Sequence, residues 1–491
     1  MTTTRRTVLA LAVAVFISLC ALPQAAVAAG ATARPEVGPL SPAFVEALHD
    51  PMVALGLGRV PSPVEVHLDA TVQAKAALAP EPWHYDLRTL GRLTSVKDQG
   101  YYSTCWAFAN IAALESKLMS ATPAPTPEPD FSEDNLVGRS GYGNSLSWRY
   151  DYGGYDFMAV AYFARWDGPV TEAEDPYMGE GPDAPLPATD TTVEHVQGAV
   201  MIPGRTSWKN NALIKELVRR NGALSVGMDW VGSAYSQRTT STGRIRATYY
   251  LSRARGENHG VTIVGWNDRY PSKYFHGSYG RPPGPGAFLV RNTWGPDFGD
   301  GGYFWVSYYD RSFAREQGLG GFGGMTSYSD VRGVDDYSAV YQHDDLGVTD
   351  HWGYVSPVVW GASKFTATAD QNIAAAGFYA LASSTRYRVY AGPTLATMTL
   401  RASGTSVLPG YTTVDFTEPL GVTADHDFVV AVRLYSPHET YPLAIERPAR
   451  SWMKSAVAGS RESFISRDGV KWKDVTRVQP NSSVCLKAFA Q

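Results

Sequence analysis

Three cysteines in 491 residues are too few for a disulfide-built scaffold or for most cysteine zinc sites. Charge is also sparse. Charged residues make up 18%, and the net charge of −4 excludes a protein built to coat nucleic acid. The pairing of little charge with 12% aromatic residues is the opposite of a disordered composition. No run of eighteen or more apolar residues follows the first segment, which predicts a soluble mature protein without stable membrane insertion. The hydrophobic share of 44% is enough for sizeable cores, and the length leaves room for roughly two to four domains.

Residues Met1–Ala28 read as a secretory signal. Arg5 and Arg6 precede the apolar stretch Thr7–Leu22, and Ala26-Val27-Ala28 supplies a small-x-small cleavage site. Cys20 is expected to leave with it. Residues 29–81 form an extension rich in Ala, Pro and Val, in which Pro61-Ser62-Pro63 suits extended chain. The glycine-dense stretch Gly318–Gly324 marks a break, and a linker is assigned to 326–336. Beyond it, Lys364–Ala367, Arg386–Tyr390, Phe428–Leu434 and Ser483–Ala488 are short β-type runs. Turn residues such as Pro409-Gly410 and Asp468-Gly469 separate them, which predicts an all-β sandwich over 337–491.

The chemistry concentrates in the middle. The run Trp106–Met119 has helical spacing, and Ser103 and Thr104 are natural N-cap residues. Cys105 is therefore placed at a helix N-terminus, where the macrodipole and free N–H groups favour a thiolate. Gln99, six residues upstream, can donate to an oxyanion. A thiolate needs a proton carrier. His259 begins a β-branched run, and Asn292, at the end of a second strand, can orient its imidazole while Trp294 shields the pair. Taken singly, an isolated Cys is usually a small buried hydrophobe, a His before a strand is usually structural, and an Asn at a strand end is a turn residue.

Together these pieces resemble the papain family of cysteine peptidases over about Pro82–Met325. The resemblance rests on Asp86-Leu87-Arg88, Gln99, Cys105-Trp106-Ala107-Phe108, Phe131-Ser132-Glu133-Asp134-Asn135, Gly153-Gly154-Tyr155, Asp175-Pro176-Tyr177, His259, Asn292-Thr293-Trp294-Gly295 and Gly301-Gly302-Tyr303. It implies an α+β, two-lobed domain over 82–325 with a helical left lobe and a β-barrel-like right lobe. It implies that Cys105 attacks the scissile carbonyl, His259 carries the proton, Asn292 orients it, and Gln99 with the Cys105 N–H forms the oxyanion hole. Gly153, Gly154, Tyr155 and Trp294 become substrate-binding residues, with Gly154 pairing to the substrate backbone. No cofactor or metal is implied. Tyr155 and Met158 hint at an apolar substrate pocket. The family's usual disulfide is missing at both ends, where this chain has Tyr102 and Asp151.

Residues 337–491 resemble the lectin-like domain that accompanies such peptidases in some secreted bacterial proteins. The carrying residues include Tyr341-Gln342-His343-Asp344, Ala375-Ala376-Gly377-Phe378-Tyr379 and Cys485-Leu486-Lys487-Ala488-Phe489. Trp352, Tyr354 and Trp360 are candidates to stack on a sugar, and Asp344, Asp345 and Asp425 are oxygen ligands that calcium accepts. Cys485 alternates like a buried strand residue. The expected protein is a secreted or cell-surface endopeptidase, monomeric, acting on proteins or peptides, with glycans as partners of the C-terminal domain. Three alternatives stand beside it: an exopeptidase of the same family, a catalytically silent adhesin or carbohydrate-binding protein, and, for the C-terminal domain, a purely structural part that shields or positions the peptidase.

Overall fold

The computed structural model describes residues 32–47, 58–78, 81–143, 146–177, 191–253, 256–315, 324–450, 452–453 and 455–491. The signal segment 1–28, with Cys20, lies outside these residues, as does most of Gly318–Gly324. Among the described residues no helix is long and apolar enough to cross a membrane.

The helix Cys105–Met119 is buried along its first twelve residues, Cys105 to Ser116. Such all-round burial marks a helix that is surrounded rather than half-wetted. Around it stand the shorter helices Glu133–Arg139, Leu146–Tyr152 and Asp156–Ala164. Ser132 caps the first of these by accepting from the Asn135 N–H at 2.9 Å. The second lobe is a sheet in which Leu224–Met228, His259–Asn267, Ala287–Arg291 and Tyr303–Ser307 are successive neighbours. They are buried on both faces along almost their whole length.

The expected linker at 326–336 is not there. Met325–Arg332 is a strand, paired antiparallel with both His195–Ile202 and Leu224–Met228. The glycines upstream concealed it, because a short alternating strand between glycine and polar residues reads as loop. The sheet then continues into the C-terminal domain: Gly410–Thr412 pairs with Gly198–Val200. Beyond Gly410–Val422 come Gln371–Ala380, Leu486–Ala490 and Ala339–Tyr341, thirteen strands in all among the described residues. A six-stranded sheet built on Val358–Thr366, Thr385–Gly392 and Asp427–Tyr435 completes the sandwich.

The two domains also share a core. Trp106, Tyr155 and Phe157 of the first lobe belong to one apolar cluster with Tyr379, Tyr411 and Cys485 of the sandwich. Phe157 and Tyr379 lie 5.9 Å apart. A common sheet and core make the sandwich a fixed part of the molecule rather than a tethered module.

The extension lies across both domains. Glu36–Val37 adds a short strand to Trp352–Gly353 of the sandwich. Phe44 packs edge-on against Trp452, 6.1 Å away. The His67 N–H donates to Leu381 O at 2.8 Å, and His67 O accepts from the Ser383 N–H at 2.9 Å. Two histidine–carboxylate contacts, His67 to Glu439 at 3.1 Å and His438 to Asp69 at 2.8 Å, tie the same stretch to the sandwich. Helix Ala70–Leu78 then packs on Ala212–Asn221.

Candidate active site

Cys105 is the first residue of its helix, with Thr104 as N-cap. The Thr104 hydroxyl bonds to Tyr177 Oη at 2.7 Å instead of capping the helix. The Cys105 and Trp106 amides act on the sulfur, while the Ala107 N–H donates to Thr104 O at 2.9 Å. Cys105 Sγ accepts from the Gly260 N–H at 3.0 Å. Gly260 follows His259, so one strand delivers both the imidazole and this amide.

His259 Nε2 is 2.8 Å from Asn292 Oδ1, and its Nδ1 makes no hydrogen bond among the described residues. Nε2–H donating to the amide oxygen leaves Nδ1 as the basic nitrogen. The Trp294 ring stacks on the imidazole at 4.6 Å and 20°, and Trp230 meets Trp294 edge-on at 4.7 Å. Trp230 was not foreseen from the sequence. These rings surround the His259–Asn292 bond, and a hydrogen bond in low-dielectric surroundings is stronger for it.

Gln99 lies on the loop between the lobes. Its N–H donates to Thr293 O at 2.8 Å, and its side-chain oxygen accepts from the Thr293 hydroxyl at 2.5 Å. Its side-chain amide donates to Tyr102 O at 2.6 Å, which engages one of the two amide hydrogens. Tyr102, where the family's cysteine is missing, packs edge-on against Tyr150 at 5.8 Å. Loop 97–99 is thus stitched to the loop carrying Asn292, which fixes the lobes against each other near Cys105.

The site is closed. Cys105 and His259 are 0% exposed, and Gln99 and Asn292 1%. The extension covers the thiol. The Gly154 N–H donates to Gly58 O at 2.9 Å, the Val60 N–H to Gly154 O at 3.1 Å, and the Arg59 N–H to Asn258 O at 3.3 Å. Gly58–Val60 therefore crosses the groove as a strand paired in parallel with Gly154. A Cβ on Gly153 would lie 2.5 Å from Gly58 O, and one on Gly154 would strike the Trp106 indole at 2.6 Å. The first glycine admits the crossing chain and the second admits the tryptophan behind it.

Tyr155 does not line the groove as expected. It is buried in the core against Tyr142 at 5.8 Å, with Met158 in the same cluster. Being the N-cap of the next helix, Tyr155 turns inward, and the following residue, Asp156, meets the extension instead.

Burial governs the electrostatics. Desolvation pushes the Cys105 thiol up to about 12, against the lowering effects of the Gly260 N–H, the Arg59 charge and the Trp106 and Cys105 amides. Desolvation brings His259 down to about 4, which its bond to Asn292 only partly offsets. With the thiol far above the imidazole, both groups are neutral across the physiological range. A thiolate–imidazolium pair requires the opposite order, which needs water or substrate in place of the covering chain.

Residues 81–317 match the papain family cysteine protease profile, and 340–490 match the lectin-like domain profile. Residues 81–317 are a papain-family cysteine protease domain. Over 228 residues the chain is 31% identical to Testin-2 of Mus musculus, covering 46% of this chain and 60% of that protein. It is 30% identical over 224 residues to cathepsin K of Gallus gallus, covering 45% and 58%. The chain thus spans about six-tenths of these curated relatives. The solved structure of the cysteine protease and lectin-like domains of Cwp84, a surface layer associated protein of Clostridium difficile, has the same fold. That match has a TM-score of 0.76 at 22% identity and covers 94% of this chain and 99% of that one. A second structure, Cwp84 after propeptide cleavage, matches at 0.69 and 23% identity, over 83% of this chain and 99% of that one.

In the lectin-like domain, Trp352 and Tyr354 are core residues rather than a sugar platform. Trp360 lies beside Tyr390 at 5.0 Å and Trp472 at 6.2 Å. Asp344 is buried and paired with Lys487 at 2.9 Å, so it is engaged by a cation already present. No group of three or more metal-ligating acid, His or Cys side chains occurs among the described residues.

If Asn292 orients the papain-family histidine, Asn292→Ala is expected to lower kcat by about 10²-fold while leaving KM within a few-fold. Steady-state kinetics would decide this, and a kcat unchanged within twofold would remove Asn292 from the account.

Proposed function

We propose that this chain is the latent form of a secreted thiol endopeptidase. Cys105 is its nucleophile, His259 its proton carrier, Asn292 the orienting residue, and Gln99 with the Cys105 N–H the oxyanion donors. The observation that carries this reading is the bonded His259–Asn292 pair beside a cysteine at a helix start, with Gly58–Val60 paired to Gly154 across the same groove. Gly58–Val60 lies in that groove, and the chain leaves it toward His67, which pairs with Leu381 and Ser383 of the sandwich. Occupation of the groove by an internal stretch of chain, rather than by a terminus, supports an endopeptidase over an enzyme that trims termini.

In the open form, thiolate attack gives a tetrahedral oxyanion held by backbone and amide N–H groups. His259 then protonates the leaving amine, and water hydrolyses the acyl-enzyme with His259 as base. The N-terminal signal reading and the surface-layer association stated for Cwp84 support export and a place at the cell surface. The lectin-like match supports glycans as partners of the sandwich, and a glycan array probed with the full chain tests that part.

The extension-released protein is expected to cleave a peptide library under reducing conditions, with Cys105→Ser inert beside it. Absence of thiol-dependent cleavage would end the peptidase reading. Latency has its own test. In the uncleaved chain, Arg59→Ala leaves Asp156 and Glu257 buried without their guanidinium and should loosen the covering strand. Turnover is expected to rise at least about tenfold over the uncleaved wild type, with Arg59→Lys in between. Equal turnover of all three would show that Arg59 does not hold the strand.

A further inference from the structure

The outer face of the six-stranded sheet carries positive charge that the fold does not neutralise. Side chains alternate across a strand. Val359, Val389 and Val432 point into the sandwich core, so Trp360, Arg388 and Arg433 stand on the opposite face. Strand pairing sets these in one row: Trp360 lies opposite Arg433, and Arg433 opposite Arg388. In the next row Arg386 lies opposite Tyr435, with its guanidinium over the Tyr435 ring at 4.9 Å. On the other side Tyr390 lies 5.0 Å from Trp360. Arg386 is exposed and the other five residues are half-buried.

None of these three arginines forms an ion pair with a carboxylate among the described residues. Other arginines do, as in Arg332 with Asp415 and Arg165 with Asp167. Like charges directly opposite on paired strands destabilise a sheet. Desolvation and the charges of Arg388 and Arg386 lower the Arg433 pKa, and only Tyr390 acts the other way. The hairpin bordering Trp360 does contain an acid, Asp468, but its Oδ1 accepts from the Val470 and Lys471 N–H groups at 2.9 and 2.8 Å. Three guanidinium groups therefore share one face with three aromatic rings, and the fold bears their mutual repulsion.

Such a face fits an anion. Guanidinium forks match carboxylates in geometry and charge, and an indole beside them offers a flat apolar surface. A sugar ring bearing a carboxylate presents both matching features in one unit. An acidic peptide lacks the ring. The overall net charge of −4 disfavours nucleic acid. The face is a broad sheet surface, which suits a run of sugars lying across the strands.

We propose that Arg386, Arg388 and Arg433, with Trp360, Tyr390 and Tyr435, form a binding face for an acidic polysaccharide whose rings carry carboxylates. This rests on the glycan reading of the sandwich given above and adds to it a place and a ligand class. The arginines take the carboxylates and Trp360 takes the face of a ring. Since the sandwich shares a sheet and a core with the peptidase, binding here holds the groove at the polymer.

The test uses the full chain and measures binding by fluorescence anisotropy. The labelled probes are oligogalacturonate, neutral dextran of equal length, polyglutamate of equal charge and single-stranded DNA. Oligogalacturonate is expected to bind at least about tenfold more tightly than each of the other three, and more weakly as salt rises. Arg388→Gln and Arg433→Gln are each expected to weaken it at least about tenfold, and Trp360→Ala at least about fivefold. Both arginine variants should melt at or above the wild-type temperature, because each relieves repulsion. Arg386→Gln, at an exposed position, is expected to weaken binding without affecting folding. Binding of oligogalacturonate that is absent, or unchanged in all three arginine variants, overturns the proposal. If a glycan still binds in those variants, the glycan reading stands and the site lies elsewhere. Equal or tighter binding of polyglutamate or DNA through the same arginines overturns the proposal and counts against the glycan reading as well.

Discussion

Cys105→Ser is expected to lower kcat/KM of the extension-released protein on peptide substrates by about 10⁴-fold or more. A serine hydroxyl at this position fits the space and can still accept from the Gly260 N–H. What it cannot do is ionise near neutral pH, and among the described residues the partner bonded to His259 is the neutral amide of Asn292 rather than the aspartate that drives a serine mechanism. The loss is therefore chemical. The melting temperature should stay within about 3 °C of wild type, because near-isosteric changes of this size cost little when the partner bond survives. Kinetics paired with thermal unfolding checks both halves. A variant that keeps more than a hundredth of wild-type activity would place the nucleophile elsewhere, and one that unfolds early would assign Cys105 a structural role.

Release of the extension is expected to raise the rate of Cys105 alkylation by iodoacetamide at pH 7 by at least about 10³-fold. In the covered chain the thiol lies at about 12, so on the order of 10⁻⁵ of it is ionised at pH 7. The largest cause is desolvation, which water entering the groove removes. The amides of Gly260, Trp106 and Cys105 persist and act downward, while departure of Arg59 removes one lowering influence. Because desolvation dominates, the net movement is down. His259, brought to about 4 by the same burial, rises when hydrated beside a thiolate. The sign follows in the pH profile. For the covered chain the rate should climb steadily with pH through 9 and above. For the opened form it should already be on a plateau near neutrality, falling only as the thiolate is protonated at acid pH. Stopped-flow or mass-spectrometric alkylation at several pH values would show this. Identical profiles for both forms would mean that burial does not control the thiol.

Much of the candidate site's geometry was legible in the sequence because its parts are local. A helix start after Ser103-Thr104, a glycine after His259 and an Asn-Thr-Trp-Gly strand end each announce their geometry within a few residues. The β-runs of the sandwich were legible by alternation, and Val358–Thr366, Thr385–Gly392 and Asp427–Tyr435 overlap the runs at Lys364, Arg386 and Phe428. What stayed hidden depends on distant pairing. Asp156 reads as an ordinary acidic residue in a first helical turn, and Glu257 as a loop residue before a strand. Only folding brings both onto Arg59, 97 residues before Asp156 in the chain. The strand Met325–Arg332 was missed for the same reason: its partners His195–Ile202 and Leu224–Met228 lie more than a hundred residues upstream for the first of them. Tyr155 was misplaced because an inward turn at a helix N-cap is not written in residue type.

The most direct measurement is a stoichiometric titration with an irreversible thiol-directed epoxide, followed by peptide mapping, on the full chain before and after release of the extension. One equivalent of label on Cys105 of the opened form, appearing in step with complete loss of turnover, and almost none on the covered chain, is the predicted result. Label on Cys485, turnover that survives full modification of Cys105, or equally fast labelling of the covered chain would contradict it.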